Sequence, residues 1–309
     1  MVSKYDKIIY DLIIIGGGCS GLSALLYSAR FKLNCIMLTK DIGGSLNWAK
    51  NVDNYLGIEN VSGVDLIEKF KNHAMKFYNE NSIKYENVLD LEKKNEIFEI
   101  TTNKTKYFSK TIILATGSKT RKLNINGEKK FFKKGVYYST MSNFNSYKDK
   151  TVCVVGGSDS ACKDALILAK NSNKVYLIYR KDKLRWEPII YDEILKNNKI
   201  EIIYNTNINE IKGDKYVNSI ILDNNLDELN VDLVVIAIGN TPMSLISKKL
   251  GVNVNEKNEI IIDTMSSTNI FGVYAAGDVT NNPFKQVITG VSEGALASYS
   301  AHLYLKQKK

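Results

Sequence analysis

The sequence predicts an α/β protein made of two Rossmann-like nucleotide-binding domains of the three-layer ββα type. Two observations carry this prediction. A strand, a glycine-rich turn and a helix follow one another at Gly16 and again at Gly156. Each of these units also closes on an apolar strand that ends in glycine, at Gly117 and at Gly239. Such a repeat is typical of chains that bind two nucleotides, or one nucleotide and a redox flavin.

The first unit begins with an apolar strand over residues 8–15, which runs into the turn Gly16-Gly17-Gly18-Cys19-Ser20-Gly21 and a helix over residues 22–31. In a G-x-G-x-x-G turn the glycines let the backbone approach a pyrophosphate, and the helix N-terminus offers free N–H groups to the phosphates. A second strand over residues 34–38 completes the βαβ start, so we expect dinucleotide binding here. This strand ends in Thr39 and Lys40, where an acidic residue is expected for an adenosine ribose.

The second unit starts with a strand over residues 151–155, followed by Gly156-Gly157-Ser158-Asp159-Ser160-Ala161 and a helix over residues 162–170. Ser158 replaces the middle glycine and puts a Cβ and a hydroxyl where backbone should approach a pyrophosphate, which disfavours binding. Arg180, Lys181 and Arg185 follow the next strand, where a 2′-phosphate would lie. Arginine suits a phosphate because its guanidinium is a planar fork of donors. We therefore interpret these residues as a 2′-phosphate site rather than as a solvated basic surface, and such a site favours NADPH.

Seven motifs occur in a recognisable order: GGGCSG, GGSL (residues 43–46), VDNYLG (52–57), ATG (115–117), GGSDSA, YRKxxxR (179–185), and GVYAAGD followed by FKQ (272–286). This order resembles the low-molecular-weight thioredoxin reductases over nearly the whole chain. The resemblance implies a discontinuous FAD domain, residues 1–118 and 243–309, with an NAD(P)H domain, residues 119–242, inserted into it. It also implies a homodimer.

The resemblance assigns cofactor contacts residue by residue. For FAD they are Gly16, Gly18, Ser20, Gly21, Thr39, Gly43, Gly44, Ser45, Leu46, Asn54, Thr116, Gly117, Gly277, Asp278, Lys285, Gln286 and Val287. For NADPH or NADH they are Gly157, Ser158, Asp159, Ser160, Arg180, Lys181, Arg185, Ile238 and Gly239. Asp278 is expected to bind FAD hydroxyls. A helix starting near Gln286 is expected to direct its N-terminal dipole at the flavin edge that gains negative charge on reduction.

The family's redox dithiol is absent from this sequence. Counting back from Val152 places the C-x-x-C and its following acidic residue on Ser139, Ser142 and Asn143. A serine hydroxyl neither ionises usefully near neutral pH nor undergoes two-electron oxidation. Either the cysteines were substituted, or the dithiol was lost naturally; the missing carboxylate at Asn143 favours natural loss.

The sequence therefore predicts a flavoprotein in which NAD(P)H reduces FAD and the flavin passes electrons directly to an external acceptor. The acceptor could be an acidic electron-transfer protein such as ferredoxin, a quinone or dioxygen. Two alternatives are a thioredoxin reductase with substituted cysteines and a nucleotide-binding protein without turnover. Tyr137, Tyr138 and Phe144 flank the lost dithiol and could shield or stack on the flavin there.

The composition bears on disorder, metal binding, nucleic-acid binding and localisation. Among 309 residues, 44% are hydrophobic and only 3 are proline, which is typical of a globular chain rather than a disordered one. Four cysteines without a C-x-x-C pair and two histidines disfavour a metal site. The net charge of +9 comes almost entirely from scattered lysines, so nucleic-acid binding is not expected. With neither a signal peptide nor a membrane span predicted, we expect a cytoplasmic protein.

Overall fold

The computed structural model describes residues 8–49, 51–78, 80–138, 147–182, 188–223 and 228–308; side chains 80, 159, 160, 188 and 189 are outside the description. The chain divides into two compact units. Unit 1 comprises residues 1–119 and 241–309, and unit 2 comprises residues 120–240. The boundaries expected from the sequence lie within two residues of these breaks, although the division alone does not decide what each unit binds.

The strands and helices of the described residues alternate along much of the chain. The strands are β1 Ile9–Gly17, β2 Cys35–Ile42, β3 Ile83–Tyr85, β4 Val88–Lys94, β5 Ile97–Thr102, β6 Lys106–Leu114, β7 Ser118–Thr120, β8 Val136–Tyr137, β9 Thr151–Val155, β10 Lys174–Ile178, β11 Ile200–Ile203, β12 Ile208–Gly213, β13 Val217–Leu222, β14 Glu228–Asn230, β15 Leu233–Ile236, β16 Asn240–Pro242 and β17 Val273–Ala275. The α-helices are α1 Cys19–Arg30, α2 Gly63–Met75, α3 Asp159–Ala169, α4 Pro188–Lys196, α5 Leu245–Lys248 and α6 Val287–Gln307, and short 3-10 helices cover Gly44–Trp48 and Glu80–Ser82.

Unit 1 is built on a seven-stranded sheet in the order β3-β2-β1-β6-β5-β4, with β17 paired to β6. The pairs among β3, β2, β1, β6 and β17 are parallel, whereas β4, β5 and β6 form an antiparallel meander. Residues 12–15 of β1 are buried because the sheet is covered on both faces. One face packs on α1, α2 and α6, where Leu22, Leu66 and Ala297 are buried.

Unit 2 repeats this plan with a parallel five-stranded sheet in the order β11-β10-β9-β15-β8. Helices α3 and α4 cover one face of it, with Ala165 and Ile194 buried. The antiparallel sheet β12-β13-β14 contributes Ile211 and Ile220 to the core on the other face. The predicted α/β class with Rossmann-like parallel sheets is confirmed.

Both helices that follow a glycine turn begin three residues earlier than the sequence predicted. The spacing of apolar residues placed their starts at Leu22 and Cys162, but α1 begins at Cys19 and α3 at Asp159. The turn residues themselves therefore form the first helical turn, where the N–H groups have no partner within the helix. Strand β1 likewise extends through Gly17, two residues beyond the predicted end.

In the part of the chain that the structure describes, no helix is long and apolar enough to cross a membrane.

Candidate functional site

The first glycine turn of unit 1 joins the end of β1 to the start of α1. Gly16 has a φ of +116°, and a Cβ on it would lie 2.1 Å from the carbonyl oxygen of Ala115, so only glycine fits this position. Gly18 is the N-cap residue of α1, and it has no side chain to cap the helix. A Cβ on Gly18 would meet no protein atom within 4 Å. The turn therefore presents free N–H groups to open space, which suits an anion.

Strand β2 continues past the predicted end and includes Thr39, Lys40 and Asp41. Thr39 is buried, and its hydroxyl donates to the carbonyl oxygen of Asp41 at 2.5 Å. The prediction of a strand over residues 34–38 that ends in Thr39 and Lys40 therefore stops too early, because parallel pairing with β1 extends as far as Ile42. An acidic residue is present two positions later than the sequence pattern led us to expect.

The GGSL segment forms a short helix, and the VDNYLG segment contacts the residue that precedes α6. Gly43 precedes the 3-10 helix Gly44–Trp48, in which Ser45 is exposed and Leu46 is buried. Asn54 is exposed, and its Nδ2 donates to Oε1 of Gln286 at 3.0 Å. Two predicted flavin contacts that are 232 positions apart in the chain thus meet directly.

Helix α6 begins at Val287, next to the predicted position. Gln286 is its N-cap and forms a capping box with Thr289: the Thr289 hydroxyl accepts from the Gln286 backbone N–H at 3.1 Å. No acidic residue lies in the first turn, so the positive end of the helix dipole is not neutralised there. This helix end can stabilise negative charge on a neighbouring group.

The segment 277–282, which we call the GD loop, follows β17 and carries Asp278. Gly277 has a φ of +84°, and a Cβ on it would lie 2.3 Å from Ser20 Oγ, so the loop passes directly against the first turn of α1. Asp278 is half-buried, and its Oδ2 accepts a long hydrogen bond from Ser118 at 3.3 Å. The carboxylate is thus weakly engaged by the protein and suits polar hydroxyl groups of a ligand.

Thr116 and Gly117 follow the end of β6. The Thr116 hydroxyl donates to the carbonyl oxygen of Met243 at 2.9 Å, and Gly117 has a φ of +69°. Both are half-buried, and they continue the strand that pairs with β1 beside the glycine turn.

Two residues hold the GD loop, of which sequence reasoning singled out only Lys285. Glu293, which the sequence did not single out, is only 7% exposed and accepts the Gly277 N–H at 2.6 Å. Lys285, a predicted FAD contact, donates to the carbonyl oxygens of Asp278 and Thr280 at 2.9 and 2.8 Å. Its Nζ also lies 2.7 Å from a carboxylate oxygen of Glu259. Because an ammonium has three donors, these contacts use all of them.

The glycine turn of unit 2 differs from that of unit 1 at two points. Ser158 is exposed and is the N-cap of α3, but its side chain makes no capping hydrogen bond. A Cβ on Gly157 would lie 2.0 Å from Cε2 of Tyr179, so the Tyr179 ring packs against the turn. The equivalent neighbour in unit 1 is the small side chain of Thr39, 2.7 Å from a Cβ built on Gly17.

The remaining predicted nucleotide contacts of unit 2 lie around the same edge of its sheet. Arg180 and Lys181 are exposed just after β10, and Asp159 and Ser160 begin α3, although their side chains lie outside the description. Ile238 and Gly239 follow β15, and the Gly239 carbonyl accepts the Arg121 N–H at 3.0 Å. Arg185 lies outside the described residues.

Comparison with known proteins agrees with two nucleotide-binding folds in one chain. A family model described as pyridine nucleotide-disulphide oxidoreductase matches residues 10–294. The chain belongs to this family.

Within the family, several thioredoxin reductases are similar to the chain over almost their full length. The enzyme of Treponema pallidum is 34% identical, with 96% of this chain and 97% of the relative covered. The thioredoxin reductase structure of Lactococcus lactis is 31% identical with a TM-score of 0.77, covering 96% and 99% of the two chains. A ferredoxin-flavin thioredoxin reductase of Clostridium acetobutylicum is also 31% identical, with a TM-score of 0.53 and coverages of 96% and 98%.

Ser139 and Ser142, onto which the resemblance places the dithiol, and Asn143, onto which it places the following acidic residue, lie outside the described residues, as does Phe144. The neighbouring tyrosines are engaged within unit 2. The Tyr138 hydroxyl donates to Glu128 at 2.7 Å. Burial raises the Tyr138 pKa most, and this hydrogen bond raises it further. The Tyr137 ring packs edge-on against Tyr147.

The four cysteines do not offer a substitute dithiol. None of them forms a disulfide: Cys19 is half-buried in the turn of unit 1, Cys35 is buried in β2, Cys153 in β9 and Cys162 in α3. Burial raises the pKa of Cys19 and raises that of Cys35 to about 12. A thiol whose pKa is raised by burial is a poor nucleophile near neutral pH.

Proposed function

We propose that the protein is an FAD-dependent NAD(P)H oxidoreductase of the thioredoxin reductase type, with FAD in unit 1 and the nicotinamide nucleotide in unit 2. The observation that carries the proposal is the open turn at Gly18, beside the weakly engaged carboxylate of Asp278. Membership of the family and similarity to thioredoxin reductases over 96% of the chain support it.

The residues of unit 1 fit FAD. The N–H groups at the start of α1 would hold the pyrophosphate, since Gly18 leaves space for its approach. Asp278 would accept hydrogen bonds from FAD hydroxyl groups. Bound FAD supplies the hydride acceptor and the route for electrons. The dipole of α6, capped at Gln286, would favour negative charge on the group next to it.

Unit 2 supplies the electron donor in this proposal. The N–H groups that begin α3 would bind the pyrophosphate, and Arg180 would bind a 2′-phosphate, which favours NADPH over NADH. Ser158 adds a side chain where unit 1 has Gly18, and the Tyr179 ring packs against Gly157. They support a second candidate, a nucleotide-binding protein without turnover, if the turn admits no nicotinamide nucleotide.

The proposal assigns electron transfer directly to an external acceptor. Ser139 and Ser142 cannot form a disulfide, and the buried positions of Cys35, Cys153 and Cys162 leave no replacement. We favour an acidic electron-transfer protein because the chain carries a net charge of +9, and because one relative's name includes ferredoxin. A quinone or dioxygen is the other class of acceptor. A cytoplasmic homodimer remains part of the proposal.

Anaerobic reduction separates turnover from mere binding. Purified protein is expected to show a flavin absorption band at one FAD per chain, and NADPH is expected to bleach it in a stopped-flow experiment. Dithionite bleaching serves as the control for a reducible flavin. A protein that takes up no FAD on reconstitution contradicts the assignment of unit 1. A flavin bleached by dithionite but not by NADPH supports the binding protein instead.

A further inference from the structure

We propose that Glu293 and Lys285 are positioning residues that fix the backbone on both sides of Asp278 and thereby hold its carboxylate in place for FAD. The inference rests on the FAD site proposed above. Glu293 belongs to α6 and holds the residue before Asp278, whereas Lys285 precedes α6 and holds Asp278 itself.

Glu293 is anchored in the second turn of α6 and reaches the GD loop with both carboxylate oxygens. Oε2 accepts the Gly277 N–H at 2.6 Å, and Oε1 accepts from Asn282 Nδ2 at 2.6 Å. The Thr280 hydroxyl lies 3.2 Å from Oε2. The carboxylate thus spans the loop from its first residue to its last. All these donors are uncharged, so hydrogen bonds to the loop are what satisfy the buried carboxylate.

Lys285 holds the same loop from its other side. Its Nζ donates to the Asp278 and Thr280 carbonyl oxygens, and Glu259, whose side chain is 13% exposed, lies 2.7 Å from it. With three partners for three donors, the ammonium has no N–H left for a phosphate or a flavin. The Lys285 ammonium therefore acts on FAD through Asp278 rather than by donating to it.

The two contacts bear on Asp278 because they hold the Gly277–Asp278 pair at its two ends, the N–H of Gly277 and the carbonyl of Asp278. The Gly277 carbonyl between them accepts from the N–H and the hydroxyl of Thr280, both at 2.9 Å, so the backbone on both sides of the Asp278 Cα is restrained and its side chain has few directions in which to point.

Gly277 is in the left-handed region at φ +84°. A bridge to Ile260 fixes the later part of the loop through Val279 and Asn281, and Glu293 and Lys285 add the contacts at Gly277 and Asp278. A loop fixed in this way pays little ordering entropy when FAD binds.

A double-mutant cycle on FAD affinity tests this proposal. Glu293→Gln keeps the shape of the side chain but replaces one carboxylate oxygen, an acceptor, with an NH2 group, a donor. Measured by fluorescence titration of the apoprotein, it is expected to raise the FAD Kd about tenfold or more, since lost hydrogen bonds to charged groups are of that order. In an Asp278→Asn background the same substitution is expected to change the Kd by less than about threefold, because its effect passes through Asp278.

Equal fold-changes of Kd in the two backgrounds would overturn the proposal, since a merely structural role is additive with Asp278. An unchanged Kd for Glu293→Gln would overturn it as well. Lys285→Gln provides a second variant with the same expectation if Glu293→Gln does not fold. Ser300→Ala, which removes a buried hydrogen bond of α6 to Met265, is the control and should leave the Kd unchanged. If Asp278→Asn alone does not weaken FAD binding, the proposed FAD site fails rather than this inference.

Discussion

Gly18 is the residue whose surroundings most directly indicate a ligand. Gly18→Val places a branched side chain in space that no protein atom occupies within 4 Å of the Cβ. We expect the unfolding free energy of the apoprotein to fall by about 1 kcal/mol, because valine is a distinctly poorer N-cap residue than glycine. FAD binding should be abolished by the clash with the pyrophosphate. Urea unfolding of the apoprotein and FAD titration measure the two effects.

Gly294→Ala is the matched control for this variant. Its methyl group would lie 2.1 Å from the carbonyl oxygen of Ser20, so it should destabilise the packing of α6 on α1 whether or not FAD is present. A Gly18→Val protein that retains normal FAD affinity would show that the pyrophosphate does not lie at this turn.

Arg180 is the exposed residue on which nucleotide preference is expected to depend. We expect parent protein to be reduced faster by NADPH than by NADH. The double variant Arg180→Ala/Arg185→Ala should erase that preference, since each charge-assisted hydrogen bond to a 2′-phosphate contributes about 1.5–3 kcal/mol. Lys170→Ala, at an exposed position after α3, should leave the preference intact. Equal rates with both nucleotides in the parent would assign the arginines to the solvated surface.

At the scale of elements, the sequence identified the strands and turns of the sheets better than the limits of the helices. The apolar runs at β1, β9 and β15 are strong signals because parallel strands are buried on both faces. The starts of α1 and α3 were placed too late because turn residues such as Ser20 and Ser160 carry no apolar periodicity. The extension of β2 to Ile42 depends on pairing with β1, which local sequence does not reveal.

The site residues that the sequence predicted belong to short contiguous motifs. Glu293, which it missed, acts on a loop elsewhere in the chain. Glu293 accepts a hydrogen bond from the Gly277 N–H, 16 positions earlier in the chain, and it belongs to none of the motifs. Lys285 was assigned to the cofactor because it belongs to the FKQ motif that carries the family resemblance. Only the structure shows that its ammonium is saturated by Asp278, Thr280 and Glu259.

Glu259 lies after α5, and its ion pair with Lys285 connects this segment to the GD loop, to which Lys285 also donates. The pair should make the stability of this part of unit 1 depend on pH. Burial raises the Glu259 pKa, but hydrogen bonds from Lys285 and Asn255 outweigh it and hold the pKa below its ordinary value of 4.5. The folded state therefore binds this proton less readily than the unfolded state. The stabilisation is present above pH 4.5 and is lost as the pH falls through the lower folded pKa.

We accordingly expect Glu259→Gln to flatten the fall in unfolding free energy between about pH 5 and pH 3. Urea unfolding across this range measures it. Glu256→Gln, at an exposed neighbouring position, should retain the parent slope. Parallel slopes for parent and Glu259→Gln would show that the pair does not stabilise the fold.

At the scale of the whole molecule, the basic charge bears on the choice of acceptor. With a net charge of +9, encounter with an acidic electron-transfer protein should slow steeply as salt is added, because exposed charges are screened within about 10 Å at 0.1 M. Reduction of a quinone or dioxygen should change little. NADPH oxidation followed with ferredoxin, flavodoxin, a quinone and air across a salt series distinguishes them. Inactivity with both proteins, together with a flat salt response, would rule out the protein acceptor.

The central claim is that electrons leave the protein without a dithiol, since serines occupy positions 139 and 142. The most direct test is NADPH-dependent reduction of thioredoxin and of a small aromatic disulfide by the unaltered chain, beside the Ser139→Cys/Ser142→Cys double variant. We predict turnover no higher than a flavin-only background for the unaltered chain, with disulfide reduction gained in the double variant. Robust disulfide turnover by the unaltered chain would contradict the claim.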